Sequence, residues 1–177
     1  MISSSFGLGN TVGVALSVGD FAPDFTLLTM GKKGLQEVRL FDHIGREPVL
    51  LLFVPGAFTG TCTAQLCSDS GGLEEFEGAG AAVYGISVDS AFVQAAWAKH
   101  SGINIRLLSD FRHEVVQAYD VVLEDFAGMG PSSLRAAFVI DLEGLIRYSE
   151  VTPTLRDVPD REQILECLRG IRESRAE

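Results

Sequence analysis

An uninterrupted apolar run, Val49 to Val54, constrains the fold of this 177-residue chain more than any other segment. Six apolar residues without polar alternation predict a strand that is buried on both faces. A strand of that kind needs layers packed on each side of its sheet. The run is followed by Pro55 and, a few residues later, by Cys62 to Phe76, which we predict to be a helix. The chain therefore turns from a buried strand into a helix between Pro55 and Cys62.

The rest of the chain continues with alternating strands and helices, which predicts an α/β fold with a mixed central β-sheet flanked by helices. Two short strands and a Gly31-Lys32-Lys33-Gly34 turn predict an N-terminal β-hairpin. The Gly71-Gly72 pair predicts a weak point or kink in the first long helix. The strands of the N-terminal hairpin are Asp24 to Thr29 and Leu35 to Leu40, and the next two predicted strands are Ala82 to Val88 and Ile105 to Leu108. A second hairpin is predicted from Ala136 to Asp141 and Leu145 to Glu150, around Glu143-Gly144. The remaining predicted helices are Ser90 to His100, Val115 to Tyr119 and Asp160 to Arg172.

Two of these helices have apolar residues at helical spacing, and these predict the buried faces. Phe92, Val93, Ala96 and Trp97 are expected on one side of the helix from Ser90, which Ser90 or Asp89 is expected to cap. In the C-terminal helix the apolar positions are Ile164, Leu165, Leu168 and Ile171.

Composition and charge exclude several classes of function. The formal net charge of −10 argues against nucleic acid as a partner and against an anionic membrane surface. No apolar run approaches the length of about 18 residues that a membrane span requires. We interpret residues 1–17 as a flexible leader, with secretion a minor alternative, and residues 18–177 as a single domain.

The three cysteines are too few for a disulfide framework and fit a reducing compartment, so a cytoplasmic location is expected. The three histidines have no metal-ligand spacing, and we predict neither a metal site nor another cofactor.

Cys62 is the strongest candidate for chemistry because it stands where a helix begins. Free N–H groups and the positive end of the helix dipole favour the thiolate at that position. Arg135 is a candidate cation for the sulfur, although a surface arginine is the alternative. The Thr59 hydroxyl is a candidate for orienting a substrate oxygen, or only for capping the helix. Pro55 has no N–H and is expected to shield the thiolate from water.

The pattern Pro55-x-x-x-Thr59-x-x-Cys62, with Arg135 just ahead of a strand, resembles the peroxiredoxin signature. Gly19 to Leu27 and Gly85 to Asp89 also resemble that family, so the similarity covers the chain from about Val18 onward. The sequence Pro-Gly-Ala-Phe-Thr, from Pro55 to Thr59, resembles the motif of the alkyl hydroperoxide reductase E-type branch. The Cys-x4-Cys spacing resembles the bacterioferritin-comigratory (Q-type) branch.

The resemblance implies a thioredoxin-like fold, a homodimer, and a thiol peroxidase that reduces hydrogen peroxide and organic hydroperoxides. Its catalytic residues would be Cys62, Thr59, Pro55 and Arg135, and it would need no metal, haem or flavin. A thioredoxin-like or glutaredoxin-like protein would recycle it. The chain departs from the family at Gln65, where glutamate is common, which questions any proton relay or charge contact at that position.

Cys67 is the best candidate for the resolving thiol, which would form a disulfide with Cys62 after oxidation. Residues five apart on a helix have Cα atoms about 8 to 9 Å apart, beyond the limit of about 7 Å for a disulfide. We therefore expect the helix start to unwind when the two sulfurs join. The alternative is a buried Cys67 and an external resolving thiol. Cys167 is expected in the core, with a resolving role as the minority interpretation.

Two rival functions stay open at this point. A disulfide oxidoreductase would normally have Cys-x-x-Cys spacing, which is absent here. A non-catalytic binding or chaperone-like domain with the same fold is the other rival, because fold alone does not define function.

Overall fold

A computed structural model describes residues 16–176, in which a seven-stranded mixed sheet is covered by helices. The strands are β1 Thr26–Gly31, β2 Gly34–Arg39, β3 Val49–Phe53, β4 Ala82–Ser87, β5 Arg106–Ser109, β6 Val122–Leu123, β7 Ser132–Ser133, β8 Ala136–Ile140 and β9 Ile146–Val151. The helices are α1 Gly60–Gly71, α2 Leu73–Gly78, α3 Ala91–Ser101, α4 Glu114–Ala118 and α5 Arg161–Ala176, with a 3-10 turn at Leu40–Asp42.

The apolar run forms the centre of this sheet, as predicted. The strand order is β2-β1-β5-β4-β3-β8-β9, with β3 parallel to β4 and antiparallel to β8. Alternate residues of β3 enter two different apolar clusters: Leu51 and Phe53 pack on one face, and Leu50 and Leu52 on the other. Every residue of β3 is buried. The continuous apolar run is therefore explained by burial on both faces of the sheet.

Both predicted hairpins are confirmed. β1 and β2 pair antiparallel down to Gly31 opposite Gly34, and β8 pairs antiparallel with β9. Gly34 and Gly144 have φ angles of +110° and +86°, a backbone region in which a Cβ would be strained. The thioredoxin-like α/β fold expected from the sequence is thus present.

Helix α1 ends earlier than predicted. The predicted helix from Cys62 to Phe76 is divided at Gly72, so that α1 ends at Gly71 and α2 begins at Leu73. The kink expected at the glycine pair is a complete break, because two adjacent glycines supply little helix propensity.

The expectation for the buried side of α3 is confirmed for Trp97 and was wrong for Phe92, Val93 and Ala96. Phe92 and Val93 are 64% and 40% exposed, whereas Ala91, Gln94 and Trp97 are buried. The helix buries Gln94 because its side-chain amide donates to the Leu108 carbonyl and the Ser87 hydroxyl. Ser90 caps the helix by accepting from the Val93 N–H at 3.3 Å, as expected.

The β6–β7 pair was not predicted from the sequence. Val122 and Leu123 pair antiparallel with Ser133 and Ser132, and this two-stranded ladder stands apart from the main sheet. It positions the segment that leads into β8.

The predicted leader falls largely outside the described residues. Its last two residues are described, and both make contacts. The Leu16 carbonyl accepts from the Ser149 hydroxyl, and the Ser17 N–H donates to Asp20. Across residues 16–176, none of the helices combines the length and apolar character needed to cross a bilayer.

Candidate active site

The strand-to-helix turn after β3 is held in place from two sides, and the first support comes from the β6–β7 ladder. The Ser132 hydroxyl, which is buried, donates to the Pro55 carbonyl. The ring of Phe126, in the loop between β6 and β7, lies against Gly56, where an added Cβ would come within 3.0 Å of it. A Cβ at position 56 would therefore fit only if the Phe126 ring shifted by a few tenths of an ångström.

Asp89 supplies the second support. Its carboxylate accepts from the Ala57 N–H at 2.8 Å and from the Ser87 hydroxyl at 2.9 Å. Its own carbonyl accepts from the Ser109 hydroxyl at 2.7 Å. Asp89 thus ties the turn to the carboxyl ends of β4 and β5. The sequence suggested Asp89 only as a possible helix cap, whereas it is the anchor of the turn.

Phe58 and Thr59 form the last part of the turn before α1. Phe58 has a φ angle of +61°, which is unusual for a residue with a Cβ. Thr59 stands at the N-cap position of α1, but its side chain makes no capping bond. Its hydroxyl donates instead to the Gly56 carbonyl at 3.0 Å. The donor of Thr59 is therefore occupied, and its lone pairs remain to accept a hydrogen bond.

Cys62 is the third residue of α1 and is 1% exposed. That position lies in the first turn of the helix, where the leading N–H groups have no intrahelical acceptor. Arg135 reaches the same sulfur, with Nη2 at 3.3 Å from Cys62 Sγ. The two residues are 73 positions apart in sequence and meet because Phe53 at the end of β3 is paired with Ala136 at the start of β8.

Arg135 is itself buried, at 1% exposed, and its guanidinium is fixed by two further bonds. Nη1 donates to Gln65 Oε1 at 2.6 Å, and Nη2 donates to the Leu155 carbonyl at 3.0 Å. The Arg135 carbonyl accepts from the Thr152 N–H at 2.9 Å, which holds the backbone. The interpretation of Arg135 as a surface arginine is therefore wrong.

Cys67 and Cys167 are both partly buried, and all three cysteines are free. Cys67 lies on the same continuous helix as Cys62, and its thiol donates to the Ser101 carbonyl at the end of α3 at 3.2 Å. Cys167, on α5, lines a cavity of about 580 Å³ together with Asp141 and Arg147. Burial raises the pKa of the Cys167 thiol, which keeps it protonated. Its partial burial differs somewhat from the expected core position.

Asp69 lies one turn after Gln65 and has the most perturbed carboxyl near the site. Burial raises its pKa from 3.8 to about 6, although the Gln65 amide and the charge of Arg161 oppose the increase. Both neighbours stabilise the carboxylate, but burial has the larger effect.

The residues 16–176 contain no group of three or more histidine, cysteine or acidic side chains placed to hold a metal ion. Two of the histidines make specific contacts: His43 pairs with Glu47 and Tyr84, and the His113 ring lies 3.2 Å from the Pro131 carbonyl. The site is therefore built from a thiol, a guanidinium, a hydroxyl and backbone groups.

Comparison with known proteins identifies the family. A family model described as the AhpC/TSA family matches residues 18–149. The chain is a peroxiredoxin. It is 41% identical over 138 residues to alkyl hydroperoxide reductase E of Mycobacterium bovis, a match that covers 77% of this chain and 86% of that protein. It is 34% identical over 145 residues to the chloroplastic 2-cysteine peroxiredoxin of Chattonella marina var. antiqua, covering 78% and 72% of the two chains.

The fold of this peroxiredoxin is also found in solved structures. The reduced 2-Cys peroxiredoxin of Plasmodium vivax superposes with a TM-score of 0.79 at 29% identity, over 90% of this chain and 83% of that one. The family expected from the motif is therefore confirmed.

The structure brings together four of the predicted residues, Pro55, Thr59, Cys62 and Arg135, around one turn. Sequence reasoning missed two residues that hold this turn, Asp89 and Ser132, and the acceptor role of Gln65. Asp89 and Ser132 form hydrogen bonds with backbone groups of the turn from distant segments, and no local sequence pattern predicts such contacts. Gln65 had a usable signal, since it stands one helical turn from Cys62.

Proposed function

We propose that this peroxiredoxin reduces hydrogen peroxide and organic hydroperoxides with the Cys62 thiolate. The observation that supports the proposal most directly is the 3.3 Å contact between Arg135 Nη2 and Cys62 Sγ at the start of a helix. A buried guanidinium favours the sulfur anion, and the thiolate is the nucleophilic form of cysteine.

In the first step the Cys62 thiolate attacks one peroxide oxygen along the oxygen–oxygen bond. A sulfur–oxygen bond forms and the oxygen–oxygen bond breaks. The leaving oxygen takes up a proton and departs as water or an alcohol, while Cys62 becomes a sulfenic acid. Negative charge on the leaving oxygen is stabilised by Arg135 and by the N–H groups of the first turn of α1.

Thr59 orients the substrate in this mechanism. Because its hydroxyl donates a hydrogen bond to the Gly56 carbonyl, its oxygen is left as an acceptor for the O–H of the peroxide. The orienting role expected of Thr59 would therefore act through acceptance of a hydrogen bond. Pro55 closes the turn above the sulfur, since it is buried and contributes no competing N–H.

The test is peroxide consumption by the parent protein and by Cys62→Ser in the presence of a dithiol reductant. We expect turnover to be lost in the variant, while Cys167→Ser keeps it. Equal turnover in Cys62→Ser and parent would refute the proposal and leave the non-catalytic binding domain as the better interpretation.

Cys67 is proposed as the resolving thiol. Its sulfur attacks the sulfenic sulfur of Cys62, a disulfide forms, and water leaves. Both cysteines lie on continuous α1, where five-residue spacing keeps the Cα atoms about 8 to 9 Å apart. The first turn of α1 must therefore unwind for the bond to form. A thioredoxin-like or glutaredoxin-like dithiol then returns both thiols by exchange.

One observation favours the alternative of an external resolving thiol. The Cys67 thiol is bonded to the Ser101 carbonyl within a continuous helix and is not free to approach Cys62. Mass spectrometry after one equivalent of peroxide distinguishes the two routes, because the internal route gives a peptide containing both Cys62 and Cys67. Cys67→Ser should react once and then fail to recycle through thioredoxin. Normal recycling would exclude Cys67 as the resolver.

Two further properties are proposed from the family resemblance. The protein is expected to form a homodimer, and β9 is an edge strand of the main sheet in the described residues. A location in the cytoplasm stays a prediction from cysteine usage. Light scattering at micromolar concentration tests the dimer.

A further inference from the structure

The partners of Arg135 have an unusual property, since all of them are uncharged in the thiol form of the protein. Gln65 Oε1 and the Leu155 carbonyl are neutral acceptors, and the third partner is the Cys62 sulfur. Within residues 16–176 no carboxylate lies at ion-pair distance from Arg135. A buried cation without an anion is costly, and Cys62 is the contacting group that can become one.

Gln65 is buried as well, at 6% exposed, and its amide lies between Arg135 and Asp69. Oε1 faces Arg135, so Nε2 points away from it. In the described structure Nε2 has no acceptor at hydrogen-bond distance, although it lies near enough to Asp69 to stabilise that carboxylate. Gln65 and Asp69 line a small cavity of about 100 Å³ between α1 and the start of α5.

We infer that Gln65 is a positioning residue for Cys62. Its neutral amide holds the Arg135 guanidinium against the sulfur, and because the amide carries no charge, the sulfur anion is left as the counter-charge of the guanidinium. A glutamate at this position would keep the contact geometry but would neutralise Arg135 by itself. The Cys62 thiolate would then be less stabilised by Arg135. The inference rests on the proposed function, because it concerns the same sulfur.

The charged groups around position 65 come from three elements. Arg135 faces it from the segment before β8, Asp69 lies one turn further along α1, and Arg161 approaches from α5. Arg161 is paired with Glu75 of α2 at 3.0 Å. The Cys62 sulfur has Arg135 as its charged hydrogen-bond partner.

The experiment measures ionisation without using peroxide. Alkylation of Cys62 by iodoacetamide is followed from pH 4 to 9 by quantifying the Cys62 peptide in parent, Gln65→Glu and Gln65→Met. We expect the pH midpoint in Gln65→Glu to rise by about one unit, with about tenfold slower alkylation on the acid side. Because alkylation does not depend on peroxidase activity, a negative result here is distinguishable from failure of the proposed function.

Gln65→Met separates charge from packing, since methionine has a similar size and no charge. We expect its alkylation midpoint to rise less than in Gln65→Glu, while the rate of its ionised form with hydrogen peroxide falls because Arg135 has lost an acceptor. A parental peroxide rate in Gln65→Met would overturn the positioning role. A midpoint shift as large as that in Gln65→Glu would overturn the role of charge.

Two controls complete the design. Gln117→Glu adds the same charge at an exposed position of α4 and should leave the midpoint unchanged. Asp69→Asn is added to the parent and to Gln65→Glu, and the titration is repeated, which removes the titration of Asp69 near pH 6 from both curves. The inference fails if Gln65→Glu and parent share one midpoint, or if Gln117→Glu shifts it equally.

Discussion

The surroundings of the Cys62 sulfur include groups from distant segments, and Thr59 shows how one hydrogen bond changes the role expected of a residue. Thr59 stands at the N-cap of α1, but its hydroxyl donates to the Gly56 carbonyl, which leaves the oxygen lone pairs available as acceptors. In the proposed mechanism this hydroxyl orients the peroxide.

We predict that Thr59→Val slows the reaction with hydrogen peroxide about a hundredfold, since misorientation of a reacting group has an effect of that order. Thr59→Ser keeps the hydroxyl and should retain most of the rate. The second-order rate constant from stopped-flow measurements checks this. A valine variant as fast as parent would show that the hydroxyl does not touch the substrate.

The four motif residues were predictable because their types and spacing match the peroxiredoxin signature. Pro55 and Thr59 occupy a turn, Cys62 begins a helix, and Arg135 precedes an apolar strand. Asp89 and Ser132 were not predictable as supports, because their partners are backbone groups brought near by pairing of distant strands.

At the scale of elements, two hydrogen bonds to α3 hold the segment of helix α1 that would have to unwind for the proposed Cys62–Cys67 disulfide. The Trp97 Nε1–H of α3 donates to the Thr63 hydroxyl at 3.0 Å, and the Cys67 thiol donates to Ser101. Trp97 is fully buried, so its indole N–H depends on this acceptor. Unwinding of the first turn thus has to break a bond to α3 as well as the contact with Arg135.

We predict that Thr63→Val speeds formation of the Cys62–Cys67 disulfide about fivefold, because one hydrogen bond of about 1 kcal/mol no longer holds the helix start. Valine keeps the shape of threonine. Quenched-flow sampling with mass spectrometry measures the rate, and the preceding reaction with peroxide in the same samples should be unchanged. A slower disulfide step would contradict this account.

Elements with strong periodicity or continuous apolar character were predicted correctly, whereas short ones decided by tertiary contacts were not. β3 is an example of the first kind and the β6–β7 ladder of the second. The exposed face of α3 had a misleading pattern, because a buried glutamine, whose amide nitrogen donates to distant groups, replaced an apolar residue in the packing.

At the scale of the whole molecule, stability should depend on pH through Asp69. Its pKa rises from 3.8 to about 6 on folding, so the folded protein binds this proton more tightly than the unfolded chain. The contribution of Asp69 to stability is therefore largest below pH 3.8 and is lost as the pH increases from 3.8 to about 6.

We predict that Asp69→Asn raises the free energy of unfolding by about 2 kcal/mol at pH 8, with a smaller gain at pH 5. Urea denaturation of parent and variant at both values checks the prediction. Asp42→Asn, at an exposed position in the 3-10 turn, is the matched control and should change little. A gain that is equal at the two pH values would show that burial of Asp69 is not responsible.

The pairing of Phe53 with Ala136 has a consequence for how the protein comes into being. In the proposed mechanism the cation that favours the Cys62 thiolate is Arg135, which arrives only when strand β8 docks beside β3, long after residue 62 has been synthesised. Until then Cys62 lacks this contact. Rapid labelling of that one cysteine at neutral pH would therefore report, in a refolding reaction, the moment at which the central ladder closes.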